Sequence, residues 1–282
     1  MASLEWQSDR GALPAHLRRE QTQHLIDERG FVRVGELREA FGVSGVTARA
    51  DLDVLAVRGA VRRVHGGAVP AYSAVAGSDR AGRLGPTREF SFEEALASSV
   101  IPKQQIGELA ASLVLSGQSV ILDVGTTTLA IARALRARTA LTDLVIITNG
   151  LSVALELELA IPRFTVIVTG GSLRPLQHSL VDPLAATVLS QVHADLAFIG
   201  CNGVDAEHGV TNINLPEAGV KTLMLAAAAR AVVVADGSKL GQVHLGRVGP
   251  LHAFDTLVTD AAAEPQALTP LREAGLTILL PE

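Results

Sequence analysis

From Pro14 the run AHLRREQTQHLIDERG places Leu17, Leu25 and Ile26 on the inner side of a helix that Gly30 stops. A shorter helix is predicted around Val34 to Phe41, then a turn at Gly42 and Val43, then a third helix opened by Ser44. In the third helix Ala48, Leu52 and Leu55 recur at i, i+4 and i+7 and face inward together. The outline is helix, turn, helix, with Ser44, Gly45, Thr47, Arg49 and Asp53 on or near the outward surface. Most of these lie on the first turns, by which a recognition helix reaches base edges. After Gly59 the pattern shortens to AVRRVHGGAVP around Gly66 and Gly67, as in a β-hairpin. A basic hairpin directly after a recognition helix is a wing, and Arg62, Arg63 and His65 are its candidates for phosphate or minor-groove contact.

From Ala71 to about Ser91 the chain is rich in Gly, Ser, Ala and Arg and has no apolar period, which reads as a linker. Beyond Ile101 short apolar runs alternate with helical patterns: SVILD, LVIITN, FTVIVTG, DLAFIG, AVVVAD, DTLVTD and LTILL are the expected strands. Such alternation predicts an α/β fold, a mostly parallel sheet covered by helices on both faces. The expected division is a loose tail over residues 1–13, a winged helix-turn-helix over 14–70, a linker over 71–92 and a larger α/β domain over 93–282.

Composition sharpens this picture. A length of 282 residues is about two ordinary domains, and no apolar run, Leu223 to Ala229 included, approaches the roughly 20 residues of a membrane span. No basic segment precedes an apolar stretch at the N-terminus, so a cytoplasmic location is expected. The net charge of −5 is uneven: residues 1–72 hold ten Lys and Arg against nine Asp and Glu, the remainder 14 against 20. Arg58 to Gly67 carries three Arg and one His with no acid, a local field suited to a phosphate backbone. Cys201 is the only cysteine, which excludes an intrachain disulfide; it is either a small buried thiol or a reactive one.

The main small-molecule motif is DVGTTTLAIARAL, where a strand ends at Asp123 and a helix starts at once. Gly125 lets backbone amides approach an anion, Thr126, Thr127 and Thr128 add hydroxyls, and the helix start adds partial positive charge. Phosphate suits such a loop, and simple N-capping by threonine is the alternative. Further candidates follow other strands: Thr148 and Asn149, Gly170 and Gly171, Gly203 and Asp205, and Asp236, Ser238 and Lys239. In open α/β sheets ligands bind beyond these strand ends, although each residue alone also suits a turn. Glu217 and Lys221, four apart on one helix, are either an exposed ion pair or two groups turned into the same cleft. Lys103, Arg174 and His178 are candidates for anion contacts or for solvated surface. No GxSxG, P-loop, HExxH or GxGxxG pattern occurs, and the histidines lack metal-ligand spacing, so neither metal nor cofactor is expected.

With both halves read, the sequence resembles the DeoR family of bacterial transcription regulators from about Leu17 onward. The N-terminal part of the resemblance is VSGVTARADL, the following Gly59 and the HGGA of the wing. The C-terminal part is KQQIGELAASLV, LDVGTTT, VIITNGL, VTGGSLR, DLAFIGCNGVD, GVTN, EAGVK and VADGSK. The resemblance implies a C-terminal sensor domain similar to the ribose-5-phosphate isomerase and CoA-transferase fold, binding a phosphorylated sugar or related metabolite. It implies a phosphate loop of Asp123, Gly125, Thr126, Thr127 and Thr128, with Asp205, Glu217, Lys221 and Lys239 at the sugar end. Two positions depart from the family pattern: Ala50 stands where a second arginine is usual, and Asp182 where glycine is common.

The expectation is a regulator, a repressor of carbohydrate uptake or catabolism genes, that binds double-stranded DNA as a homodimer or larger assembly. DNA contacts are expected from Ser44, Thr47, Arg49, Arg62, Arg63 and His65. Effector contacts are expected from the phosphate loop with Asn149, Gly170, Gly171, Arg174, Asp205, Glu217, Lys221 and Lys239. The rivals are a sugar-phosphate enzyme with an accessory DNA-binding domain and a DNA binder without a specific operator.

Overall fold

The computed structural model describes residues 13–29, 32–57, 60–64, 66–70 and 89–281, and its contacts divide the chain into two units, 1–78 and 79–282. Among the described residues no helix is long and apolar enough to cross a membrane. The first unit holds α1 (Ala15–Arg29), β1 (Val32–Arg33), α2 (Val34–Phe41), α3 (Gly45–Val57), β2 (Val61–Val64) and β3 (Gly67–Pro70). Gly42, at φ 63°, ends α2 in the left-handed conformation that glycine adopts most cheaply, and the chain turns into α3. Ser44 caps α3 by accepting the Thr47 amide at 3.0 Å. Ala48, Leu52 and Leu55 are buried with Ile26, Leu37, Val61 and Ala68 in one small core, as their spacing predicts. The strands form an antiparallel sheet in the order β1-β3-β2, which is the expected wing.

One position expected to face inward does not. Leu17 is 40% exposed, and the inner face of α1 begins instead with Arg18 and Thr22. The reason is electrostatic: Asp51 of α3 is buried and takes Arg18 Nε at 2.6 Å and Arg19 Nε at 2.8 Å. A buried carboxylate needs such partners, and they displace the leucine from the interface. The expected tail over residues 1–12, the stretch 71–88 of the expected linker, His65 and the Arg62 side chain lie outside the described residues.

The second unit begins with α4 (Phe92–Ala97), α5 (Val100–Ser112), β4 (Ser119–Leu122), α6 (Thr126–Ala137), β5 (Leu144–Thr148), α7 (Leu151–Glu158) and β6 (Phe164–Val168). There follow β7 (Ser172–Arg174), β8 (Ser179–Val181), α8 (Leu184–Leu189), β9 (Leu196–Gly200), β10 (Gly203–Asp205), β11 (Gly209–Asn212) and α9 (Leu215–Ala226). The unit closes with β12 (Ala231–Val234), β13 (Gly246–Gly249), β14 (Thr256–Val258), α10 (Pro265–Glu273) and β15 (Thr277–Leu279). The seven runs expected as strands form one parallel sheet in the order β15-β14-β12-β9-β4-β5-β6. Alternate side chains feed two cores. Ile121, Ile199 and Val233 pack with residues of α8, α9 and α10; Leu122, Phe198 and Val232 pack with residues of α5, α6 and α7.

The order of the sheet locates a crevice. From β4 the chain winds through β5 to β6 on one side, then returns to β9 on the other side of β4. Ligands bind at such a reversal, outside the carboxyl ends of the strands. Here those ends are Asp123 after β4 and Cys201 after β9.

The linker expected to reach residue 92 is shortened at its C-terminal end, because the segment from Glu89 is packed onto this unit. Phe92 is buried and its amide donates to the Leu176 carbonyl at 2.7 Å.

Candidate functional site

Ser44, Arg49 and Ala50 are exposed and Thr47 is half-buried beside the Ser44 hydroxyl at 2.8 Å. Val46, not singled out from the sequence, is 74% exposed on the same turn, an apolar group of the kind that contacts a thymine methyl. In the wing, Arg63 donates through Nη1 to the Arg49 carbonyl at 3.1 Å and to Asp53 Oδ1 at 2.9 Å. The wing arginine thus braces β2 against the recognition helix and keeps part of its guanidinium for other partners. A concavity of about 430 Å³ lies between α2, α3 and the wing, lined by Arg38, Arg49, Arg63, Gly45 and Gly66. Arg38 was missed because its place on α2 shows no period that separates it from ordinary surface. The three guanidiniums around one hollow suit a phosphate backbone.

In the second unit Asp123 is fully buried at the mouth of the switch point. Its Oδ2 accepts from the Gly200 amide at 3.0 Å and pairs with the Lys221 ammonium, reaching across from α9. Burial pushes the Asp123 carboxyl above the usual carboxylate range against the pull of Lys221. For Lys221 burial works downward, but Asp123 and Glu217 outweigh it and hold the ammonium charged. Glu217, one turn earlier on α9, accepts from Ser179 Oγ at 2.6 Å and from Arg174 Nη1 at 2.8 Å. Glu217 and Lys221 are therefore not an exposed i, i+4 pair: both are buried, and each engages a different partner in the crevice.

At the start of α6, Gly125 takes φ 135°, which a side chain would strain, and the first turn carries Thr126, Thr127 and Thr128. The first amides of a helix have no partner within it and favour an anion. Thr128 donates its hydroxyl to the Gly125 carbonyl at 2.9 Å and so helps to shape the loop, while Thr127 stays half-buried at its rim. Asn149 is fully buried; its amide donates to the Leu180 carbonyl at 3.2 Å and its Oδ1 has no partner.

The remaining candidates divide. Lys239 sits half-buried in a short turn after β12, where it and Asp236 act electrostatically on Lys103 and Cys201. Burial pushes Lys103 down to about 8, with Asp236 opposing and Lys239 reinforcing the shift, while its ammonium donates to the Ser98 carbonyl at 2.8 Å. Burial pushes Cys201 up to about 12, so it is a neutral thiol and not a reactive one. Asp205 is occupied by its own turn, accepting the amides of Glu207 at 3.0 Å and His208 at 2.9 Å. Gly170 and Gly171 take φ 71° and 124° at the root of the β7–β8 hairpin. His178 stacks on Phe92 and bonds Ser152 Oγ at 2.9 Å. Asp182 is exposed. Among the described residues no cluster of His, Cys, Asp or Glu is placed to hold a metal.

Residues 99–261 match the family model described as the DeoR C terminal sensor domain, and residues 18–73 match the DeoR-like helix-turn-helix domain. The chain belongs to the DeoR family. The HTH-type transcriptional regulator GlpR of Haloferax volcanii is 33% identical over 267 residues, covering 95% of this chain and 98% of its own. The glycerol-3-phosphate regulon repressor of Escherichia coli strain K12 is 28% identical over 237 residues, covering 84% of this chain and 87% of its own. Both are named as regulators of transcription, and this chain is a DeoR-family transcription regulator. Among solved structures, ribose 5-phosphate isomerase A of Methanocaldococcus jannaschii is 21% identical at a TM-score of 0.36, covering 50% of this chain and 55% of its own. That likeness is too slight to transfer any property.

Proposed function

We propose that this DeoR-family regulator is a cytoplasmic repressor of carbohydrate uptake or catabolism genes, released from its operator when a phosphorylated sugar or related metabolite binds the second unit. The observation that carries the reading is the pairing of an α6 N-terminus without a side-chain cap with the buried Asp123, Lys221 and Glu217 and the half-buried Arg174 at one switch point. The helix start suits the phosphate, and carboxylates beside cations suit hydroxyls. The Escherichia coli relative, a repressor of a glycerol-3-phosphate regulon, favours a small phosphorylated effector. A homodimer or larger assembly presents two recognition helices at once, which raises avidity without new contacts. Ser44, Thr47 and Arg49 would read DNA, with Arg62, Arg63 and His65 on its backbone.

Two substitutions test the halves separately, using a DNA fragment enriched by the chain itself from a random pool. Arg49→Ala weakens binding about tenfold and flattens the salt dependence by about one phosphate contact, measured by fluorescence anisotropy. Unchanged affinity removes Arg49 from the interface. Thr127→Ala leaves effector-free DNA affinity intact and raises the effector concentration needed for release about tenfold, the cost of one hydrogen bond to a charged oxygen. An unaltered response removes the phosphate-loop assignment.

A further inference from the structure

Asp123 Oδ1 and Asn149 Oδ1 are buried acceptors without hydrogen-bond partners. The two residues follow the paired positions Leu122 and Thr148 on adjacent parallel strands, so they stand side by side on one face of the sheet. Both side chains are fully buried and Glu217 and Lys221 are nearly so, hence a ligand reaching them has to displace a cover.

The β7–β8 hairpin lies against Asn149 and Glu217. Leu180 exchanges hydrogen bonds with Asn149, its amide donating to the Asn149 carbonyl at 2.8 Å and its carbonyl accepting the Asn149 side chain. Ser179 and Arg174 both donate to Glu217. The hairpin is rooted at Gly170 and Gly171, where a Cβ on Gly171 would lie 2.4 Å from the Val181 carbonyl oxygen.

The other side of the same hairpin grips the beginning of the unit. Arg174 pairs with both carboxylate oxygens of Glu89. Leu176 accepts the Phe92 amide, Gln177 donates to the Phe90 carbonyl, and His178 stacks on Phe92 with ring centroids 4.7 Å apart. Glu89 and its neighbours are the chain that arrives from the DNA-binding unit.

We propose that the β7–β8 hairpin is at once the lid of the effector crevice and the clasp on residues 89–98, so that admitting a ligand and freeing the segment that leads to the DNA-binding unit are one motion. This rests on the effector reading above and assigns its regulation. Arg174 carries the coupling, because one guanidinium is divided between Glu217 within the crevice and Glu89 on the arriving chain. An anionic ligand that draws Arg174 inward competes with Glu89, while its hydroxyls supply donors to Asp123 and Asn149. Opening and binding are then thermodynamically linked.

The test compares the full-length chain with Glu89→Gln, and with Glu89→Ala as a second variant, by amide hydrogen exchange without ligand. Exchange is expected to quicken at least about tenfold at Leu180 and Phe92 and to stay constant in β4 and β5. Unchanged exchange at Leu180 overturns the clasp. Calorimetric titration with ribose 5-phosphate as the probe forms the second arm. Both variants are expected to bind it at least about threefold more tightly, since the clasp no longer opposes entry. Equal or weaker binding alongside faster exchange also overturns the proposal, because lid and clasp would then move separately. If ribose 5-phosphate binds none of the three proteins, the effector reading fails for that sugar, and the exchange comparison still decides the clasp.

Discussion

Lys221→Met is expected to destabilise the second unit by about 3–5 kcal/mol, because it leaves the Asp123 carboxylate buried without its counter-ion. Asp123 is fully buried and Lys221 only 3% exposed, so water cannot replace the lost ammonium without opening the crevice. In a unit of this size each kcal/mol lowers the melting temperature by about 2–4 °C, and calorimetry of the full chain should show a fall of at least about 6 °C. The paired variant Lys221→Met with Asp123→Asn removes both charges and should recover much of the loss. A fall below about 1 kcal/mol for Lys221→Met alone would mean that the pair is solvated, and the buried crevice would have to be redrawn.

Asp51→Ala should abolish DNA binding by destabilising the first unit. Its carboxylate joins α1 to α3 through Arg18 and Arg19, and the Arg18 side chain is 10% exposed, so its removal strands a mostly buried cation. The expected cost is about 3 kcal/mol, a large share of the stability of a unit whose core is this small. The same pair predicts a pH dependence. Burial works to raise the Asp51 pKa, but hydrogen bonds and charge from Arg18 and Arg19 outweigh it and hold the carboxyl below its ordinary value. A lowered folded-state pKa stabilises fully above the unfolded value near 4 and is lost as pH falls through the folded value. Calorimetry from pH 7 down to pH 3 should therefore show the first unit losing stability at the acid end in the wild type, with a shallower loss in Asp51→Ala. Equal slopes would contradict the assignment.

The strands of the large sheet were legible because each is an apolar run, six of the seven closed by Asp, Asn or Gly. The α3 stripe was legible for the equivalent helical reason. The antiparallel strands β10, β11 and β13 were not, since GVD, GVTN and GRVG carry glycine and polar residues and no apolar run. The buried Asp51 carries no periodic mark, which is why Leu17 was assigned a place that Arg18 holds. Asp123 and Lys221 were named separately as effector residues, yet a pairing across 98 positions exists only once α9 packs on the sheet. The Arg174 bridge to Glu89 spans 85 positions and was equally invisible. Ala50, the departure on the recognition helix, is exposed, so an arginine placed there would reach into solvent and not into the core.

Sensing of a phosphorylated sugar by the second unit, and its control of the first, can be read in one titration: full-length chain against its selected DNA, followed by anisotropy, with a panel of sugar phosphates and their unphosphorylated parents. At least one sugar phosphate is predicted to weaken DNA binding by tenfold or more while its parent sugar has no effect, a coupling of about 1.4 kcal/mol. Constant DNA affinity in the presence of a sugar phosphate that demonstrably stabilises the second unit would contradict it.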